Sequence, residues 1–265
     1  MDNGNYRDPW EMPDGRAPMD LRARDYRAAA RNALNGFWTT ALLVTFVAAL
    51  LGGLFNSGPS FRFDLNINVD ESTLQEMSQV PGMTDTGYYD LAQTLSEITE
   101  RFPFAPALFA FCSLLATVQF VIGGPVALGY SRFKLHRFDG QEAQMSDVFS
   151  AFDRFLDGLW MRVRLFLQIL GWSLLFIIPG IIAAYRYALV PYLMAENPEL
   201  SVGDAIERSK QLMVGRKWKL FCLQLSFIGW LLLCGVTFGI ASLWIAPYME
   251  MAETAFYRSL VPAAS

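Results

Sequence analysis

Long apolar stretches alternate with short basic segments along most of this chain. Four stretches, residues 32–61, 102–131, 165–185 and 220–249, contain no charged residue over 21 to 30 positions each. A helix needs about 20 apolar residues to cross the roughly 30 Å hydrocarbon core of a bilayer. The pattern therefore predicts an all-α integral membrane protein.

Two of these stretches contain a turn signal near the middle. Pro179-Gly180 interrupts "LFIIPGIIAAYRYALVPY", and "GVTFG" at residues 235–239 interrupts the last stretch. Because Gly and Pro mark turns, each of these stretches has two interpretations, one kinked span or a hairpin of two spans. The hairpin interpretation gives six transmembrane helices, at about residues 36–56, 105–128, 160–178, 181–196, 218–234 and 239–257.

The distribution of basic residues favours the hairpins, because cytoplasmic flanks carry the excess of Lys and Arg. The segment before the first span, "LRARDYRAAARNALNG", carries four arginines, and residues 195–219 carry five cations. Residues 62–101 contain two arginines and eight carboxylates, so this loop is expected outside. With hairpins, 18 of the 21 Lys and Arg residues lie inside, and both termini are cytoplasmic.

An internal repeat agrees with this topology. "LFLQILGWSLLFIIPGIIAAYRYALVPYLM" and "LFCLQLSFIGWLLLCGVTFGIASLWIAPYM" share their order of Gln, Gly-Trp, turn and Pro-Tyr. A basic amphipathic helix precedes each of them, and the first part of the chain has the same plan. We therefore expect three helix–span–turn–span repeats in a single membrane domain, residues 21–265, after a disordered cytoplasmic tail, residues 1–20.

Smaller features complete the predicted fold. Ser201 with Asp204 forms an N-terminal cap for an amphipathic cytoplasmic helix. Residues 61–69 alternate apolar and polar as a strand does, and with a helix later in the loop they predict a small extracytoplasmic cap. The glycines of the first two spans allow close helix approach; these are Gly52, Gly53, Gly123, Gly124 and Gly129.

Composition and motifs exclude several classes of function. Only 17% of the residues are charged, against roughly 25% in soluble domains. There is no HExxH, GxSxG, Walker or dinucleotide motif in the sequence, so we predict no enzyme and no cofactor. The lone His136 and the three scattered cysteines make no metal-ligand set. A net charge of −4 gives no support for nucleic-acid binding.

Two groups of charged residues are candidates for functional sites. Arg216, Lys217 and Lys219 stand in "RKWK" at a membrane entry, where they are expected to contact anionic lipid headgroups. Arg186 lies inside an apolar span, and a charge in that position normally pairs or faces a wet cavity. We expect it to pair with Glu250, or with Glu253 in reserve; the alternative is that its side chain reaches the outer headgroups alone.

The segment "IIPGIIAAYRYALVPYLMAENPELSVGDAIERSKQLMVGRKWKLFCLQLSFIGW", followed by "IAPYMEMAETAFY", resembles a bacterial multi-pass membrane family catalogued as domain of unknown function 975. That family is similar in plan to the membrane domain of some glycerophosphodiester phosphodiesterases. The resemblance implies the bacterial cytoplasmic (inner) membrane and no assigned activity. Arg186 and the long acidic loop depart from the family pattern.

Two classes of function follow from these observations. The first is a non-enzymatic membrane protein that acts in the cell envelope through contacts with lipids or with another membrane protein. The second is a small-solute or lipid transporter that uses a midplane site near Arg186 and Glu250. A polar cavity at that depth would favour transport, whereas a solid bundle would favour the first class. The sequence leaves the oligomeric state open.

Overall fold

Helices form every regular element in the described part of the chain. The computed structural model describes residues 21–53, 105–237 and 241–262, and these ranges contain no strand. The all-α prediction is therefore confirmed for them. The helices are α1 (Ala23–Leu34), α2 (Trp38–Leu50), α3 (Ala105–Phe138), α4 (Ser146–Phe149), α5 (Phe155–Leu175), α6 (Ile177–Tyr187), α7 (Val190–Glu196), α8 (Val202–Leu212), α9 (Lys217–Leu225), α10 (Ile228–Val236) and α11 (Ser242–Leu260), with a 3₁₀ turn at Phe152–Arg154.

The predicted amphipathic helices are α1 and α8. In α1 the buried side chains recur at helical spacing, from Tyr26 through Ala29 and Ala30 to Ala33. In α8 the Asp204 amide donates to the Ser201 hydroxyl at 3.2 Å, and that hydroxyl donates to the Asp204 carboxylate at 2.6 Å. The predicted cap is confirmed.

The question raised by Pro179-Gly180 is answered by α5 and α6, which pack against each other as a hairpin. The reversal occurs at Phe176, whose extended backbone (φ −160°, ψ 148°) separates the two helices. It thus comes three residues before the predicted turn, and Pro179-Gly180 lies in the first turn of α6. A Cβ at Gly180 would lie 2.9 Å from the Cα of Ser173, so the glycine permits this close contact.

The predicted count of six spans is not confirmed. Within the described ranges, two segments, Ala110–Phe138 and Ile178–Glu196, are long and apolar enough to cross a membrane, and a third is reached if α1 and α2, bent by 105°, count as one span. The last apolar stretch is divided instead, because α9 and α10 have 9 residues each. At 1.5 Å per residue, each covers about 14 Å, roughly half of a bilayer core.

Glycines bring α3 and α5 into backbone contact, as their predicted role requires. A Cβ at Gly124 would lie 2.4 Å from the carbonyl oxygen of Gly158, and a Cβ at Gly158 would lie 2.6 Å from the nitrogen of Pro125. The two helices cross where neither has a side chain. Any larger residue at either position would force them apart.

The chain divides into two units, residues 1–60 with 119–265, and residues 61–118. In the first unit, α1 packs against α11, where Tyr26 meets Phe256 edge to face at 5.7 Å. In the second unit the structure describes the first turns of α3, where the Thr117 hydroxyl donates to the Ser113 carbonyl at 2.9 Å. The predicted tail at residues 1–20, the predicted outer cap at residues 61–101 and part of the turn at residues 235–239 lie outside the described residues.

The threefold repeat and the domain boundaries stay predictions. A glycine with φ of 71° lies in the turn after α1, at Gly36, and in the turn after α8, at Gly215. Each turn leads into a helix with a tryptophan in its first two residues, Trp38 and Trp218. This local likeness agrees with duplication, but neither the threefold repeat nor the domain boundaries follow from it.

Candidate functional site

A buried ion pair joins α3 to α11. The Lys134 ammonium lies 2.7 Å from the Glu250 carboxylate, and the two side chains are 3% and 8% exposed. The same ammonium donates to the Tyr192 hydroxyl of α7 at 2.8 Å. A buried charge is tolerated only when it is paired and hydrogen-bonded, and both conditions hold for Lys134.

Aromatic rings enclose the Lys134 ammonium. The ring centroids of Tyr130 and Tyr192 lie 4.6 and 4.5 Å from Nζ, within cation–π range. The Tyr130 hydroxyl shares a 2.9 Å hydrogen bond with Thr45 of α2. Four helices thus contribute to one polar cluster, which we define as Thr45, Tyr130, Lys134, Tyr192 and Glu250.

A second carboxylate lies one helical turn beyond Glu250. Glu253 is also buried, and it accepts a 2.8 Å hydrogen bond from the amide of Gln224 on α9. The Gln224 amide oxygen in turn accepts from the Tyr185 hydroxyl of α6 at 2.6 Å. This chain of bonds, the Glu253 branch, connects α6 and α9 to α11.

Arg258 forms a second ionic centre near the end of α11. Its guanidinium donates to both Asp139 oxygens, at 2.9 and 2.5 Å, and to Glu196 at 2.6 Å. Glu196 also accepts from the hydroxyl of Tyr257. Burial raises the pKa of Asp139, although Arg258 opposes the shift. Burial also acts to lower the pKa of Arg258, but its bonds to Glu196 and Asp139 outweigh that effect, and the net pKa is raised.

The structure does not bring Arg186 and Glu250 together. Arg186 is exposed on α6, and its backbone carbonyl accepts a 2.9 Å hydrogen bond from Ser209 of α8. Among the described residues the cation beside Glu250 is Lys134, and Glu253 takes the Gln224 amide. The expected pair is replaced because α3 continues to Phe138, ten residues past the predicted end of that span, and so places Lys134 against α11.

The three predicted headgroup contacts lie at the start of α9, where they separate into two groups. Arg216 and Lys219 line a cavity of about 280 Å³, together with residues of α1 and α11. Lys217 is not among the lining residues. Contact of these cations with headgroups stays a prediction.

Lys134 was not predicted as a site residue, because it was grouped with the cations of the cytoplasmic flank. One signal was available, since Tyr130 and Lys134 are four residues apart and share a helix face. The partners on other helices, Tyr192 and Thr45, had no signal in the sequence. Metal-ligand clusters were not expected, and the described ranges contain no group of three His, Cys, Asp or Glu residues placed to hold a metal ion.

Comparisons with known proteins bear on the C-terminal part of the chain. Residues 161–264 match the family described as "Protein of unknown function (DUF975)". The match contains Glu250, Glu253, Tyr192 and Arg258, while Lys134 lies before it. No curated protein and no solved structure matches the chain. The similarity supports a domain of unassigned activity over this range.

Proposed function

We propose that the chain is a multi-pass protein of the bacterial inner membrane with both termini in the cytoplasm. In this proposal it has no catalytic activity and acts through contacts with lipids or with another membrane protein. The match to a family of unknown function agrees with an unassigned activity. The two or three helices long and apolar enough to cross a membrane are compatible with this location.

The observation that carries the proposal is the placement of apolar and charged side chains. Large apolar residues are exposed on α2, α5, α6, α10 and α11, with Leu174 86% and Ile178 72% exposed. Charged residues occupy the interior instead, among them Lys134, Glu250 and Arg258. Water-soluble monomers rarely expose large contiguous apolar surface, whereas lipid favours apolar side chains outside and polar ones facing the bundle interior.

Close packing around the ion pair favours a role in contacts over transport. The space lined by Tyr130, Lys134 and Tyr192 has no room for a water molecule. A transported solute needs a polar cavity at its binding site. Lys134 and Glu250 are closed against each other, and Arg258 is closed against Asp139 and Glu196, as expected of contacts that hold helices together.

Cysteine labelling tests the topology. In a variant without Cys112, Cys222 and Cys234, we introduce one cysteine at Gln211, exposed on α8, or at Thr84 in the acidic segment. An impermeant maleimide applied to intact cells should label position 84, and should label position 211 only after permeabilisation. Extraction at alkaline pH should leave the protein in the membrane. Release by that treatment, or labelling of position 211 in intact cells, contradicts the proposal.

The transport alternative has a separate test. Vesicles containing the purified protein and an internal pH-sensitive dye should conduct protons no faster than protein-free vesicles. Lys134→Met serves as the comparison, since it removes the buried cation. A proton flux in the wild type that this substitution abolishes would favour transport and count against a role in contacts alone.

A further inference from the structure

Two buried carboxyl groups share one cation near the middle of α11. Glu250 and Glu253 are 6% and 7% exposed, and they are one helical turn apart on the same side of the helix. The Lys134 ammonium lies 2.7 Å from Glu250. In the part of the chain that the structure describes, no cation lies within ion-pair distance of Glu253. With all three groups ionised, one positive and two negative charges would leave a net charge of −1 inside the fold.

The hydrogen bonds of Glu253 do not compensate for a negative charge. The Tyr185 hydroxyl donates to the Gln224 amide oxygen at 2.6 Å, so the Gln224 NH₂ group faces Glu253 and donates to Oε1 at 2.8 Å. Within the described ranges, this is the hydrogen bond that the Glu253 carboxyl makes. Buried carboxylates that stay ionised are held by a cation or by several N–H donors. Glu253 has one neutral donor, and its second oxygen, Oε2, is left to carry a proton.

The charged and titratable groups around Glu253 come from four helices. They are Lys134 of α3, Tyr185 of α6, Tyr192 of α7 and Glu250 of α11. The one cation of this set is Lys134, which Glu250 already holds.

The other helices packed against α11 direct their charges elsewhere. Arg27 and Arg31 of α1 face Tyr248, and Arg208 of α8 faces Tyr257. The lysines of α9 lie in its first turn, at the opposite end from Gln224, and neither α2 nor α10 contains a charged residue. Glu253 therefore lies in a region where an added negative charge is not balanced.

We propose that Glu253 is a proton-binding site, which holds a proton on Oε2 in the folded protein at neutral pH. The proton comes from the solvent, and the neutral acid still accepts the Gln224 bond on Oε1. Glu250 stays ionised because it contacts Lys134, so the charges of the cluster balance. The Glu253 branch then joins α6 and α9 to α11 without a buried net charge. This inference does not depend on the location in a membrane, because Glu253 is buried within the fold itself.

Infrared spectroscopy of the purified full chain, in a detergent without carbonyl groups, tests for the proton directly. A protonated carboxyl group has a carbonyl stretching band separate from the bands of carboxylates and amides. The wild type at neutral pH should show this band, and Glu253→Gln should lose it. Glu207→Gln, at an exposed carboxylate on α8, is the matched control and should keep it. A wild type without the band, or a band that survives in Glu253→Gln, would overturn the proposal.

The pH dependence of stability provides an independent measurement. Glutamate in the unfolded chain loses its proton above about pH 4.3, so unfolding of the wild type should release one proton at neutral pH. Relative to Glu253→Gln, the unfolding equilibrium constant of the wild type should rise about tenfold per pH unit, about a hundredfold from about pH 5 to pH 7. Burial also raises the pKa of Asp139, but Asp139 is present in both proteins and cancels in the comparison. Parallel pH curves for the two proteins would contradict the proposal.

Glu253→Gln should fold, because the amide has the shape of the neutral acid and can accept the Gln224 bond through its oxygen. Its denaturation midpoint at about pH 5 should be close to that of the wild type. A variant that fails to fold would mean that position 253 requires a negative charge, which counts against a bound proton. None of these outcomes alters the cysteine-labelling result, so the proton site and the topology are tested separately.

Discussion

Lys134 is the residue on which the buried polar cluster depends. Its ammonium contacts the Glu250 carboxylate, the Tyr192 hydroxyl and two aromatic rings. Replacing a whole buried ion pair by apolar residues is often neutral, but removing one partner leaves an uncompensated charge. The effects of substituting Lys134 and of substituting Glu250 on stability therefore should not be independent.

We predict that Lys134→Met and Glu250→Gln each lower the free energy of unfolding by about 3–5 kcal/mol. The double variant should lose clearly less than the sum, because no buried charge is left without its partner. The measurement is a double-mutant cycle on the purified protein, unfolded by denaturant in mixed micelles.

Arg186→Met provides the control for this cycle. Arg186 is exposed, and we expect its substitution to change stability by less than about 0.5 kcal/mol. Its effect should add to that of Glu250→Gln. Additivity between Lys134 and Glu250, or coupling between Arg186 and Glu250, would show that the functional pairing differs from the one in this structure.

At the level of elements, the α5–α6 hairpin depends on one glycine. A Cβ at Gly180 would meet the Ser173 hydroxyl at 2.2 Å and the Ser173 Cα at 2.9 Å. Rotation of the hydroxyl relieves the first clash, but the second involves backbone. The helices must therefore separate to accept any side chain at position 180.

We predict that Gly180→Ala destabilises the protein by about 1–3 kcal/mol, the usual cost of overpacking. Gly171→Ala, in α5, is the matched control, since nothing lies within 4 Å of its added methyl group. Alanine there should stabilise by up to about 1 kcal/mol, because it lowers the entropy cost of helix formation. Equal effects of the two substitutions on unfolding midpoints would refute the role of close packing at Gly180.

For the whole molecule, the sequence predicted what depends on local pattern. Apolar runs identified the helices, the Pro-Gly turn signal together with the basic flanks identified the hairpin near Pro179, and Ser201 with Asp204 identified the capped helix. The partner of Glu250 was not predictable in the same way, because it depends on how far α3 continues and on its rotation against α11. The six-span count is not confirmed for a similar reason: the break between α9 and α10, at residues 226–227, has no Gly or Pro before Gly229.

The location in a membrane leads to a prediction that uses two exposed leucines of the same helix. Leu167 and Leu156 of α5 are 58% and 76% exposed, and they are about 16 Å apart along the helix axis. In water, arginine at either position would change the free energy of unfolding little, since neither side chain is buried. In the proposed orientation, Leu167 lies in the middle of the span at residues 160–178 and Leu156 lies beyond its cytoplasmic end.

Leu167→Arg should therefore cost about 3 kcal/mol of membrane insertion and reduce the protein recovered in the membrane fraction, whereas Leu156→Arg should have little effect. The amounts of the two variants in the membrane fraction are compared by immunoblot after equal expression. Equal recovery of both variants would mean that the exposed apolar side of α5 does not face lipid, and would redirect the search toward a protein partner that covers it.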